Sequence, residues 1–521
     1  MSLPVLGSTP KPPAARCGLV RGCGHEQPPA TLPATRRQAA GTALDVAELV
    51  KSHPCYSEEA HHHFARLHVA VAPACNIQCH YCRRKFDCAN ESRPGVASER
   101  LSPEEAVRKV LAVAAEVPEL SVVGIAGPGD ALADAAATFS TLEGIRRVAP
   151  DLILCLSTNG LALPEHAERI AALGVRHVTV TVNMTDPAVG ERIYPWIVRD
   201  GRKVRGRDAS RILSEAQLLG IARLRERGVL VKVNSVVIPG VNDAHLPEVA
   251  RAVRAAGAFV VNLVPLISAP EHGTYYGLTG QRGPTADELE RVQVSCEVDG
   301  RVMRHCRQCR ADAVGRLGED RFGEFTRSRL APGPVRDARE LRAERRAVVE
   351  RARAIASRAR DAALLRLAGA PPALTARVAV ATRTGGLVDQ HFGHARELLV
   401  YDVSRDGARL AGRRTTAAYC SGSEGDDGAL EVVLRALADC DAVLVAKIGP
   451  CPRRQLAAAG IEPATAHAFQ PIEAAALAWF EVFAARVGRG EAIPRRRAAA
   501  VPPLEGEGGT ASLAAPLSET P

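Results

Sequence analysis

From residue 67 to about residue 270, short β-rich runs alternate with stretches whose apolar positions recur at helical spacing. The runs are Leu67–Ala72, Ser121–Ala126, Leu152–Ser157, Val175–Val182, Val229–Val237 and Phe259–Leu266, with Pro103–Val117 and Ser214–Arg227 among the helical stretches. Six strands alternating with helices predict parallel βα units with right-handed crossovers, most compactly a partial (β/α)6 barrel. In such barrels the chemistry sits at the C-terminal ends of the strands. On the fourth run Thr179, Thr181 and Asn183 share one face by the period of two. A polar face on a barrel strand implies a wet or ligand-filled interior, to which Val231, Lys232 and Asn234 of the fifth run are expected to add. A second α/β pattern starts at Ala376 and extends to about residue 487. The expected division is a tail (1–45), the barrel with its ligand loops (46–325), a charged helical linker read as a solvated face (326–373), a smaller α/β module (374–490) and a second tail (491–521).

Composition narrows the classes. The 521 residues are 46% hydrophobic and 4% aromatic, enough for ordinary cores. No apolar run reaches the length of a membrane span, and Met1-Ser-Leu-Pro-Val-Leu-Gly lacks the form of a secretory signal, so a cytoplasmic protein is expected. The net charge of +9 resides in arginine-rich segments without interleaved aromatics, which speaks against nucleic acid. Fourteen cysteines in a reducing compartment favour metal ligation or redox chemistry over disulfides.

The densest chemistry directly follows the first strand: Cys75-x-x-x-Cys79-x-x-Cys82. A [4Fe–4S] cluster normally takes four thiolates; three hold three irons and leave one open. S-adenosylmethionine (SAM) working with an iron–sulfur centre does radical chemistry, and its amino-carboxylate on the open iron removes the need for a fourth cysteine. The alternatives are a zinc site, which usually shows paired CxxC units, and three unrelated buried thiols. After the second strand, Gly127-Pro128-Gly129-Asp130 makes a turn in which glycine admits close backbone approach and Asp130 is placed to accept from an ammonium. Cys155 ends the third strand as either a core residue or a thiolate at the mouth. Cys306-x-x-Cys309, flanked by arginines that lower thiolate pKa, reads as a metal-ligand pair. Cys55 precedes His61, His62 and His63, three side chains that point three ways on a helix. Tyr194–Gly206 is a long basic connection, either a cover for the barrel mouth or a solvated loop. Cys17, Cys23 and His25 lie in the first tail.

The words HPCYSEEAHHHF, KFDCANESRPGV, AGPGD, LSTNGLALPE, VKVNSVVIPGVND, PLISAPEHGT and RHCRQCRADAVG around the cysteine triplet resemble the NifB family, radical-SAM proteins of nitrogenase-cofactor biosynthesis. GGLVDQHFGHA and KIGPCP are similar to the NifX/NafY family of cofactor-binding domains, with a ribonuclease-H-like α/β fold. The resemblance implies that Cys75, Cys79 and Cys82 hold the SAM-cleaving [4Fe–4S] cluster. It implies that Cys55, Cys88, Cys155, Cys306 and Cys309 ligate two further [4Fe–4S] units, with a nitrogen ligand among His61, His62 and His63. Gly127, Thr179 and Val231 match SAM-contacting positions, and Pro128, Gly129, Asp130 and Asn183 join that site. The implied reaction fuses two [4Fe–4S] units with sulfur and a carbide from the SAM methyl into an [8Fe–9S–C] precursor. Implied partners are a NifEN-type scaffold, a NifX-like carrier, iron–sulfur cluster donors and a ferredoxin or flavodoxin, with no nucleic acid or membrane. The other classes consistent with the residues are a radical-SAM maturase of a peptide or RNA and a non-catalytic iron–sulfur scaffold.

Overall fold

Six strands follow one another in sheet order as they do in sequence. They are β1 (Ala65–His68), β2 (Leu120–Ile125), β3 (Ile153–Thr158), β4 (His177–Thr181), β5 (Leu230–Val237) and β6 (Val260–Pro265), each parallel to the next. The structure, a computed structural model, describes residues 46, 48–83, 96–297, 300–306, 308–330, 337–416 and 427–491. Helices α1 (Pro103–Glu116), α2 (Ala135–Val148), α3 (Leu163–Ala172), α4 (Gly206–Glu226) and α5 (Leu246–Ala256) intervene. The start of α1 is set locally. Ser102 accepts from the Glu105 amide while the Glu105 side chain returns to the Ser102 amide, and Pro103 stands at the first turn, where its missing N–H costs nothing. One face of each strand packs on these helices, so that Val123, Leu156, Val178, Val231 and Val233 share a core with Val110, Leu142, Ile170, Ile221 and Val249.

The barrel is open. β1 and β6 do not pair with each other; Val302–Met303 lies parallel to β6 and Val314–Gly315 antiparallel to β1. The segment between these two short pairings therefore crosses from one edge of the sheet to the other, and it carries Cys306 and Cys309. Strands of two residues leave no periodicity, and the hydrophobic pattern did not reveal them. The first expected run, Leu67–Ala72, is also shortened. Beyond His68 the chain leaves the ladder to pack on the turn after β2, with Gly129 N donating to Ala72 O (2.7 Å) and Asp130 N to Ala74 O (2.7 Å).

The basic connection after Tyr194 is a hairpin. Trp196–Arg199 pairs with Arg202–Val204 on one side and with Ile77–Gln78 on the other, so it clasps the loop that carries the cysteine triplet. The charged helix α6 (Arg339–Leu367) is more than a solvated face. Buried Arg342 donates to both carboxylate oxygens of Asp151 at 2.9 Å and to Ala114 O at 3.1 Å. Val349 packs with Ala60 and Phe64, and Ala363 and Leu367 join the second core. Long arginine stems cover apolar surface while their heads find acceptors, which a count of charges does not register.

The C-terminal sheet has the order β9-β8-β7-β10-β11, with β7 (Thr375–Val380), β8 (Glu397–Ser404), β9 (Gly407–Thr415), β10 (Ala442–Leu444) and β11 (Glu462–Ala464). The first three are antiparallel and the last two run parallel to β7. Helix α7 (Ile472–Gly488) lays Trp479, Phe480 and Phe483 into its core. Arginines tie this sheet to the barrel: Arg304 donates to Ala411 O (3.0 Å), Arg377 to Glu290 (3.1 Å), and Arg413 to the carbonyl of Cys306. Among the described residues no helix is long and apolar enough to cross a membrane.

Candidate iron–sulfur and SAM site

A cavity of roughly 280 Å³ opens at the C-terminal ends of the barrel strands. On one side stand Cys75, Cys79 and Cys82, all half-buried. Their loop is held from within: Gln78 Nε2 donates to the carbonyls of Cys79 and Cys82, each at 2.9 Å, and Cys82 N donates to Cys79 O at 3.1 Å. Asn159, at the end of β3, lies with its Nδ2 3.8 Å from Cys75 Sγ and 2.7 Å from Asn76 Oδ1.

On the other side stand Cys55, Cys155, Cys306 and Cys309. Two contacts fix their segments: His305 Nε2 donates to Pro54 O at 3.1 Å, and Gln308 Nε2 to Pro265 O at 2.9 Å. Burial pushes the Cys55 thiol up, and burial with the nearby Cys55 pushes Cys155 up to about 12. Opposing this, Arg66 donates through Nε and Nη2 to Cys309 Sγ, both at 3.3 Å. The charge needed to hold a thiolate is therefore built into the wall. Among the described residues no three His, Cys, Asp or Glu side chains gather for a single ion. The thiols ring a space instead, a donor set for bodies larger than one metal atom.

Several sequence-based expectations change here. His61, His62 and His63 do not line the cavity. His61 stacks on His305 with centroids 4.9 Å apart. His62 faces Gly385 of the C-terminal module, where a Cβ would lie 2.6 Å from its Nδ1. His63 is pulled down to about 4 by burial and Arg353. The imidazole at the cavity is His68. Its Nδ1 donates to Arg310 O at 2.9 Å, leaving Nε2 as the bare nitrogen, and burial with Arg66 holds it neutral, at about 4. A metal-bound histidine usually has its other nitrogen tied in this way. Strand alternation carried the missed signal: Arg66 and His68 sit two apart on a strand flanked by Leu67 and Val69.

Val231 turns outward into the helix-side core, so Lys232 and Asn234 face inward in its place. Asn183 is spent on the fold, donating to Tyr81 OH (2.8 Å) and Tyr194 OH (2.9 Å) and accepting from Val236 N (2.8 Å). Asp130 likewise braces the mouth. Its oxygens accept from Leu132 N (2.9 Å), Thr158 Oγ1 (3.0 Å) and Asn159 N (2.5 Å), so the carboxylate expected to meet an ammonium is already occupied. Pro128, Gly129 and Thr179 line the cavity; Gly127, with φ 132°, shapes the turn beside it. Cys88, Cys17, Cys23 and His25 lie outside the described residues.

The model of the Radical SAM superfamily matches residues 69–253, and that of the dinitrogenase iron-molybdenum cofactor family matches residues 375–482. FeMo cofactor biosynthesis protein NifB of Herbaspirillum seropedicae is 53% identical over 91% of this chain and 89% of its own. The NifB proteins of Rhodobacter capsulatus (56%; 83% of this chain, 96% of the relative) and Azotobacter vinelandii (50%; 85% and 90%) are similar along the same span. The chain belongs to the NifB family. As a NifB it is a radical-SAM enzyme of FeMo-cofactor biosynthesis that uses a [4Fe–4S] cluster and SAM.

The residues present fit that pair of groups. Three thiols on one clasped loop suit a cluster with one open iron, and Pro128, Gly129 and Thr179 line the adjoining wall where SAM would lie. When bound, the pair supplies a radical from one-electron cleavage of SAM. The turn after β2 gives this NifB loop its position: a Cβ on Gly129 would fall 2.0 Å from Ala74 O, one residue before Cys75. Gly129→Ala should therefore cost about 3 kcal/mol of overpacking, read as a lower urea midpoint together with lost iron at the triplet. An unchanged midpoint would show that the loop yields freely.

Proposed function

We propose that this NifB fuses two [4Fe–4S] units, adds a sulfur and inserts a carbide from the SAM methyl, giving an [8Fe–9S–C] precursor of the nitrogenase cofactor. The observation that carries the reading is the shared cavity: the triplet Cys75, Cys79 and Cys82 faces Cys55, Cys155, Cys306 and Cys309 across one space. A methyl carbon delivered at one side then has the substrate units directly before it. His68 serves as the nitrogen ligand in place of His61–His63, and Cys88 joins the thiol set. The barrel (46–325) does the chemistry. The module at 374–490, tied by Arg413 to the segment carrying Cys306, receives the product before a NifEN-type scaffold takes it. A NifX-like carrier, cluster donors and a ferredoxin or flavodoxin complete the partners, in the cytoplasm.

The deciding measurement is anaerobic incubation of the reconstituted protein with methyl-labelled SAM, followed by extraction of the cluster. Label inside an extractable iron–sulfur cluster is the expected result. Label confined to a peptide, a nucleic acid or released methionine would replace carbide insertion with a maturase or carrier activity.

A further inference from the structure

Lys232 stands on β5 opposite Thr179 of β4 and Val260 of β6. It is 6% exposed and lines the cavity. Other buried cations of the barrel have partners: Lys109 has Glu99 at 2.5 Å, Arg310 has Asp312 at 3.0 Å, and Arg342 has Asp151 at 2.9 Å. Arg66 is spent on Cys309 Sγ and on the carbonyls of Arg316 and Glu319. Among the described residues Lys232 makes no ion pair with a carboxylate and no hydrogen bond through its ammonium, which stands 5.8 Å from the centroid of the Tyr56 ring. The lysine's stem is buried and its ammonium faces the cavity with no anion beside it, an unfavourable placement for a charge that an anion entering the cavity would relieve. Burial works against its charge, and the sulfurs within electrostatic reach that favour that charge are those of Cys55, Cys306, Cys155 and Cys309.

We propose that Lys232 is the counter-charge for the substrate iron–sulfur units. It faces the sulfide-rich, anionic surface of a four-iron unit held by Cys55, Cys155, Cys306 and Cys309, and it sets how firmly and at what potential that unit is kept. The inference rests on the reading of these cysteines as substrate ligands. Net charge and hydrogen bonds to sulfur are the terms by which a protein shifts a cluster's potential. Lys232 supplies the first and, through its three N–H groups, the second. Arg66, on Cys309 Sγ at 3.3 Å, adds a second cation to the same set of thiols.

The test compares Lys232→Met and Lys232→Arg with the wild-type full-length chain, each reconstituted anaerobically with ferrous iron and sulfide. Lys232→Met should fall from about twelve irons toward about four, the content of the triplet site alone. Any remaining substrate unit should titrate at a more negative potential by electron paramagnetic resonance. Lys232→Arg should recover most of the iron. Before loading, Lys232→Met should melt several degrees above the wild type, because an uncompensated buried charge is gone; a merely structural lysine would shift the melt downward. Equal iron and equal potential in Lys232→Met would overturn the proposal. So would normal iron with weakened SAM binding, which would assign the ammonium to the SAM carboxylate. A wild type that loads only about four irons overturns the substrate-ligand reading itself, an outcome distinct from a failure of Lys232 alone.

Discussion

Cys75→Ala should abolish SAM cleavage, lowering formation of the adenosyl product by on the order of 10³-fold or more, and no methyl label should enter any cluster. Cys75 opens the triplet, and its surroundings explain why the loss should be chemical rather than structural. The backbone before it is pinned by Asp130 N to Ala74 O at 2.7 Å, and Gln78 staples the carbonyls of Cys79 and Cys82. These backbone contacts do not use the Cys75 sulfur, which has a long contact of its own from Asn159 Nδ2 at 3.8 Å. The variant should thus stay folded, with a melting temperature lowered by a few degrees at most, while losing the iron of the triplet. Residual cleavage above a tenth of wild type would place the reducing cluster on another set of thiols.

Cys306→Ala separates the two halves of the chemistry. SAM cleavage should persist in part, because the triplet loop is untouched, whereas the extractable cluster should drop at least about tenfold, a loss of transition-state or substrate binding exceeding 1.4 kcal/mol. The backbone around residue 306 is held independently of its thiol. Arg413 donates to the residue's carbonyl, and the neighbouring His305 reaches Pro54 O at 3.1 Å. Measured side by side, adenosyl product and extracted cluster give opposite answers in this one variant. A normal yield of cluster would remove Cys306 from the ligand set.

Much of this architecture is legible in the residues before any coordinates. The six parallel strands follow from β-rich runs spaced by helical periods, and their registers differ from the expected runs mostly by a residue or two at the ends. The triplet and Cys306-x-x-Cys309 are brought to one cavity because each lies beyond a strand's C-terminal end, whereas Cys155 reaches it from the middle of β3. What the pattern hid has physical causes. His68 was masked by the louder run of His61–His63, although the latter sit on a four-residue helix against His305 and Gly385 rather than on a barrel strand. Val231 and Lys232 exchange roles through the period of two, which resemblance by position does not register. Asp130 and Asn183 bear functional groups of the right kind, but internal donors and acceptors reach them first. The closing pairings at Val302–Met303 and Val314–Gly315 depend on contacts between residues far apart in sequence.

Those closing pairings bear on how a container for metal clusters can change size. In a closed barrel, strand number and stagger fix the girth. Here the gap between β1 and β6 is spanned by a short strap whose cysteines are themselves offered to the contents. The free energy of metal ligation adds to that of folding when the ligands come from segments far apart in the chain. On the proposed ligand set, cargo held by Cys306 and Cys309 would add a cross-link between the two edges of the open sheet, so a loaded chain should melt at a higher temperature than an empty one.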